Sequence, residues 1–327
     1  MMGLYSTLEV LGRLALLLAL WMGLAGMWSL GASPATAAAF AGSVAVAAGA
    51  GMALLAAARW ARRRGAAPEL GPADALAAVT LGWLLAGVLG GLPYLLSGVL
   101  PSAADAFFES VSGFTTTGAT ALVEVERVPA GVLLWRSLTQ WLGGMGIVML
   151  FVSMAPSLGM GGQLLLRAEF PNPAREKIRP RAAATARHLW ALYVAVTAAC
   201  AVAYRLAGLN WFDAINHAFT TLSTGGFSTR TAGVWEQADV EWVAAAFMFV
   251  GGTSFVLQYR LWWLRDWAAL RTAAEFWAYL AVALGGSVVA GLALLDGEVY
   301  REPLVALRKA AFQVVSLLST TGYTSAT

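Results

Sequence analysis

Seven stretches of this 327-residue chain, near residues 8–30, 36–58, 74–98, 131–155, 186–207, 240–262 and 274–295, are long and apolar enough to cross a bilayer. A helix rising roughly 1.5 Å per residue needs about 20 such residues. Hydrocarbon offers backbone N–H and C=O groups no water to bond with, so each stretch must satisfy them internally, as an α-helix does. An all-α integral membrane protein is expected. The composition agrees: 59% of residues are hydrophobic, 12% are charged and mean hydropathy is +0.69, far from the balance of a soluble domain.

The formal charge is +3, and thirteen of the 21 Lys and Arg fall in Arg59–Arg64, Arg167–Arg187 and Arg260–Arg271. Basic loops stay on the cytoplasmic side. These segments and the N-terminus are therefore expected in the cytoplasm, with lipid rather than nucleic acid as the partner. Residues 157–187 form a basic, proline-containing connector that reads as a solvated face near anionic lipid or as a docking surface for a cytosolic partner. A signal peptide is the other reading of the first 40 residues, since Arg13 precedes an apolar run and SPATAAA resembles a cleavage site. That run, Leu14 to Leu30, exceeds the roughly 7 to 15 residues of a signal core. Cys200, the single cysteine, lies inside a span and supports no disulfide or metal framework.

Between the spans, three short stretches align without gaps on the last Gly of a Thr/Gly loop. They are DAFFESVSGFTTTG (Asp105 to Gly118), DAINHAFTTLSTGG (Asp213 to Gly226) and KAAFQVVSLLSTTG (Lys309 to Gly322). The helical runs before the loops, near 103–114, 211–222 and 304–318, are too short or too interrupted to cross and read as re-entrant. Irregular backbone at membrane depth survives only inside protein or beside a water-filled cavity. Thr116, Thr117, Gly118 and Ala119 match Thr224, Gly225, Gly226 and Phe227, then Thr320, Thr321, Gly322 and Tyr323. Gly reaches backbone angles closed to other residues, which lets successive carbonyls face one line and replace the hydration shell of an alkali cation. The negative end of each short helix's dipole favours the same ion.

The repeats divide the chain into an N-terminal transmembrane hairpin (1–64), a first pore repeat (65–156), the cytoplasmic basic connector (157–187), a second repeat (188–265) and a third (266–327) truncated after its loop. Each repeat is a span, a re-entrant pore helix with its loop, and a returning span, arranged around a pseudo-fourfold pore. Such repeats must close a ring, so the early stop makes a non-conducting fragment or assembly partner the rival expectation. A membrane-embedded enzyme would need converging acid/base or metal-ligand residues. His188 opens the second repeat and His217 lies in its re-entrant helix, without such spacing, so no enzyme activity is expected.

Several polar residues could support the loops. Asp105 and Asp213 are placed to cap their helices. Glu109, His217 and Gln313 share one register and could each brace the loop behind them. Arg136 lies inside a span, where an unpaired charge costs at least about 2.5 kcal/mol, and Glu109 is its expected partner. Gly143, Gly144, Gly146, Gly251 and Gly252 permit close helix packing or a hinge. An excess of carboxylates over basic residues in the outer half should concentrate cations at the mouth.

SGFTTTGAT (Ser112 to Thr120), WRSLTQWLGGMGIVML (Trp135 to Leu150) and NWFDAINHAFTTLSTGGFST (Asn210 to Thr229) resemble the Trk/Ktr/HKT potassium transporter family, of the TrkH type, over almost the whole chain. The resemblance implies four non-identical repeats around one pore and K+ coordinated by the filter residues Thr116, Thr117, Gly118, Thr224, Gly225, Gly226, Thr320, Thr321 and Gly322. It further implies a homodimer and a cytosolic nucleotide-binding regulatory subunit that gates conduction. Glycine at all three loop positions goes with K+ permeation in this family; Ser at the first would raise Na+ preference. The expected function is K+ uptake across the inner membrane, with Rb+ or Na+ as alternative cargo. The membrane potential would drive it, and no cofactor is needed.

Overall fold

The computed structural model describes residues 4–31, 33–64, 72–146, 182–231, 237–297 and 299–325. All regular structure among them is helical. The chain divides into two units, the first made of Met1–Thr115, Ala119–Leu122 and Arg127–Arg187 and the second of Thr116–Gly118, Val123–Glu126 and His188–Thr327.

In the first unit, α1 (Leu4–Met27) and α2 (Pro34–Arg63) form the expected hairpin. Pro34 takes the first helical position, where its missing N–H costs nothing, and Ser33 Oγ accepts from Thr36 N at 3.3 Å. The two helices meet on small residues: a β-carbon on Gly51 would stand 2.9 Å from Gly12 O. In lipid, where water drives no helix association, such close backbone approach supplies van der Waals contact. Helices α3 (Pro72–Leu96), α4 (Ala103–Phe114) and α5 (Ala130–Gly144) complete this unit. Trp135 is fully buried on α5 and donates its indole N–H to Gly90 O of α3 at 2.9 Å. Its ring packs edge-on against Phe114, at the end of α4.

The second unit holds α6 (Ala182–Leu206) from His188 onward, α7 (Trp211–Leu222), α8 (Ala238–Gly251), α9 (Phe255–Trp262), α10 (Ala268–Thr272), α11 (Ala274–Asp296) and α12 (Pro303–Leu318). Helices α4, α7 and α12 fall where the re-entrant runs are expected. At 12, 12 and 16 residues they reach roughly 18 to 24 Å, short of a bilayer core of about 30 Å.

Five described helices are long and apolar enough to cross: Tyr5–Met27, Pro34–Arg63, Leu76–Leu96, Arg187–Leu206 and Ala274–Asp296. The span expected near 240–262 is not continuous, because α8 and α9 meet at 95°. Side chains hold the break open. Gln258 Nε2 donates to Val250 O at 2.9 Å and the Thr253 hydroxyl donates to it at 2.7 Å, taking the acceptor that a continuing helix would use. The span expected near 131–155 is described only through Gly146. The rest of it, and the connector up to residue 181, lie outside the described residues.

The capping expectation needs correction. The caps of α4 and α7 are Ser102 and Asn210, whose side-chain oxygens accept from the backbone N–H of Asp105 at 3.3 Å and of Asp213 at 2.9 Å. The aspartates sit at the third helical position instead, where a carboxylate faces the positive end of the dipole.

Candidate functional site

Each loop begins where its short helix ends, and all three adopt one backbone pattern. Thr116, Thr224 and Thr320 have φ of 54°, 51° and 61°, and Gly118, Gly226 and Gly322, two residues on, have φ of 77°, 78° and 79°. The residues between, Thr117, Gly225 and Thr321, are not in the left-handed region. The sign of φ therefore alternates along each loop in the same way. A β-branched residue at positive φ is a steric outlier costing about 1–3 kcal/mol. Among the described residues only Arg265 joins the three threonines as a non-glycine in this state.

Hydrogen bonds from the helices offset that strain. Ser112 Oγ donates to Ala119 O at 2.5 Å, and Ser316 Oγ donates to Tyr323 O at 2.7 Å. At the same register, Thr220 O accepts from Gly225 N at 2.9 Å. Sequence reasoning missed these three residues, although a hydroxyl stands six positions before the last Gly in every aligned stretch.

Of the three residues expected to brace the loops, Glu109 and His217 bond to residues just past them. Glu109 is fully buried and accepts from the Thr120 hydroxyl at 2.9 Å and Ala121 N at 2.8 Å. His217 Nε2 lies 3.3 Å from Ser228 Oγ, and its Nδ1 lies 2.8 Å from Asp213 O. A carbonyl only accepts, so Nδ1 carries a proton, and in the neutral ring Nε2 accepts from the serine. Thr120 and Ser228 each stand two residues past the loop glycine. Asp213 Oδ1 also takes the Thr229 hydroxyl at 2.7 Å. Gln313 is half-buried, and the exit of the third loop is held by Lys309, whose Nζ donates to Ser325 O at 2.5 Å.

Two buried carboxylates anchor this scaffold. Arg136 Nε lies 2.6 Å from Glu109 Oε1, with side chains 4% and 0% exposed. In the second unit Glu241, also 0% exposed, takes Arg308 Nε at 2.7 Å and Lys309 Nζ at 2.5 Å. Buried charges persist only when paired and hydrogen-bonded. By contrast Glu126 is exposed, accepting from the Thr231 hydroxyl at 2.5 Å and the Thr231 N–H at 2.6 Å. These bonds, the hydroxyl's first, hold its carboxyl below its usual range.

Glycines let backbones meet at the loops. A β-carbon on Gly143 would stand 1.9 Å from Phe114 O, and one on Gly251 would stand 3.2 Å from Leu222 O. Phe114 and Leu222 are equivalent last residues of α4 and α7. The close-packing role expected of these two glycines is what the geometry provides.

Among the described residues no cluster of His, Cys, Asp and Glu could hold a metal ion. The family model described as TrkH, cation transport protein, matches residues 41–282. The Trk system potassium uptake protein TrkH of Salmonella typhimurium is 41% identical over 261 residues, covering 79% of this chain and 54% of that protein. The Trk system potassium uptake protein TrkG of Escherichia coli K12 is 37% identical over 225 residues, covering 68% and 46%. The crystal structure of the potassium transporter TrkH from Vibrio parahaemolyticus superposes with a TM-score of 0.83 at 32% identity, over 98% of this chain and 66% of that one. The chain spans about half the length of the curated relatives it matches. These relatives are named as transport proteins, not enzymes. On the matched family model and on identity across most of its length, the chain belongs to the TrkH family of cation transport proteins.

Proposed function

We propose that this chain supplies three loops of a K+-selective filter. Backbone carbonyls of Thr116–Gly118, Thr224–Gly226 and Thr320–Gly322 would stand in for the ion's hydration shell. The observation that carries the reading is the repeated alternation of handedness at the three loops, held at a steric cost in each. Glu109, Arg136 and His217 act as supports behind the carbonyls, with Gln313 at the same register. The relatives named as potassium uptake proteins make K+ the cargo of choice.

Uptake is driven by the membrane potential, since one charge moving inward gains roughly 2.3 kcal/mol per 100 mV. The basic segments Arg59–Arg64 and Arg260–Arg271 favour an inner-membrane protein with its N-terminus in the cytoplasm. A homodimer and gating by a cytosolic nucleotide-binding subunit complete the proposal, on family resemblance. The repeat boundaries are those drawn from the sequence.

Rubidium uptake into proteoliposomes tests the reading, comparing this chain with a version extended through a fourth repeat. Uptake by the extended form that K+ suppresses is the expected result. Uptake by both forms would keep the filter and refute the need for ring closure. No uptake by either under an imposed potential would mean that a partner is required or that the filter reading is wrong.

A further inference from the structure

Tyr323 directly follows Gly322, and its hydroxyl reaches out of its own repeat into α7 of the second. The phenol is 1% exposed. It is hydrogen-bonded to the Thr220 hydroxyl, lies 3.3 Å from Thr221 Oγ1 and 3.4 Å from His217 O, to which it donates. A phenol hydroxyl has one donor and limited acceptor capacity, so these partners saturate it. Thr221 is held in turn from α6, by the Tyr204 hydroxyl at 2.7 Å. The His217 ring, which braces the second loop, stands edge-on to both tyrosine rings, with centroids 6.4 Å from Tyr204 and 6.2 Å from Tyr323.

The same two loops also touch backbone to backbone. A β-carbon on Gly226 would stand 1.9 Å from the carbonyl oxygen of Thr321. That carbonyl lies two residues before Tyr323, whose own carbonyl is fixed by Ser316. A shift of the phenol therefore moves a filter carbonyl of the third loop against the second. The aligned residues in the other loops are Ala119 and Phe227, neither of which carries a hydroxyl.

We propose that Tyr323 is a specificity-determining tie, which sets the spacing between the second and third loops and thereby the preference for K+ over Na+. The two ions carry the same charge and differ in size, so carbonyls held apart for the larger ion lose their advantage when they are freed to close on the smaller one. This inference rests on the filter reading proposed above. It adds that the preference is held from outside the loop, by a bond between repeats.

The test uses the chain as it is, purified in detergent, and follows thermal unfolding as KCl or NaCl replaces choline chloride. A cation that binds the folded state raises the melting temperature with its concentration. The ratio of the K+ and Na+ concentrations giving equal stabilisation reports selectivity without requiring conduction. In Tyr323→Phe the ring stays and the ties go, and the K+ preference is expected to fall about threefold or more, the scale of one lost hydrogen bond. Thr220→Val and Thr221→Val remove the bonds from the other side and should lower it in the same direction, which serves if Tyr323→Phe does not fold. Non-additive melting temperatures for Tyr323→Phe combined with Thr220→Val would show the contact itself. An unchanged K+/Na+ ratio in these variants, beside lower melting temperatures, would overturn the proposal and leave an ordinary buried bond. If the parent chain responds alike to K+, Na+ and choline, the filter reading fails and the inference falls with it, whatever the coupling between Tyr323 and Thr220.

Discussion

Gly226 lies so close to the carbonyl oxygen of Thr321 that a β-carbon there would stand 1.9 Å away, with φ at +78° besides. Both facts exclude a side chain. Gly226→Ala is expected to unfold the second and third loops locally and to abolish the K+-dependent rise in melting temperature. The left-handed backbone alone costs about 1–3 kcal/mol. Melting curves with and without KCl check this, and a variant that kept the full K+ response would show that the two loops do not carry the ion.

The Glu109–Arg136 pair should behave as a unit. Removing one partner leaves a buried charge alone, which costs about 3–5 kcal/mol, whereas removing both is far milder. Glu109→Gln and Arg136→Met are each expected to be strongly destabilising, and the double variant should recover part of the loss. Unfolding measurements on the four proteins decide it. Additive losses would mean that the two side chains are not coupled.

Gly143 and Gly251 occupy equivalent places but should respond differently. A β-carbon at Gly143 collides with Phe114 O at 1.9 Å, whereas at Gly251 the nearest carbonyl oxygens are 3.2 Å away. Gly143→Ala should force α5 away from the end of α4 and lower the melting temperature sharply. Gly251→Ala needs only a small adjustment, and helix propensity partly offsets it. Equal losses at the two positions would contradict close packing as the reason for glycine at Gly143.

Glu126 gives a pH signature. Its carboxyl is depressed in the fold by bonds from the Thr231 hydroxyl and N–H. A depressed folded pKa means that its contribution is complete above the ordinary value of 4.5 and is lost as pH falls through the lower folded value. Glu126→Gln mimics the protonated acid. The difference in melting temperature between parent and variant should therefore be present at neutral pH and close under acid conditions below 4.5. A difference that persisted there would assign the effect to something other than this titration.

Much of this architecture was legible because bilayer thickness sets a length scale. Long apolar runs could be told from the short helices ending at Phe114, Leu222 and Leu318, and the gapless register of Gly118, Gly226 and Gly322 located the loops. The capping residues were misplaced by one motif: Asp105 and Asp213 attract notice, but the carbonyls and side chains that open the helices belong to Ser102 and Asn210. The bend after Gly251 could not be read, because it depends on Gln258 and Thr253 reaching back to one carbonyl. The phenol of Tyr323 finds its partners about a hundred residues away, in another repeat, and no local pattern encodes that. Ser112, Thr220 and Ser316 were available in the alignment all along, as a hydroxyl recurring at one position.

The most direct measurement is anomalous diffraction from crystals of the chain equilibrated with rubidium. The expected result is a column of difference density bounded by the carbonyls of Thr116–Gly118, Thr224–Gly226 and Thr320–Gly322, which excess K+ displaces. Rubidium bound elsewhere, or no density beside these carbonyls in crystals saturated with the ion, would contradict a filter built from the three loops.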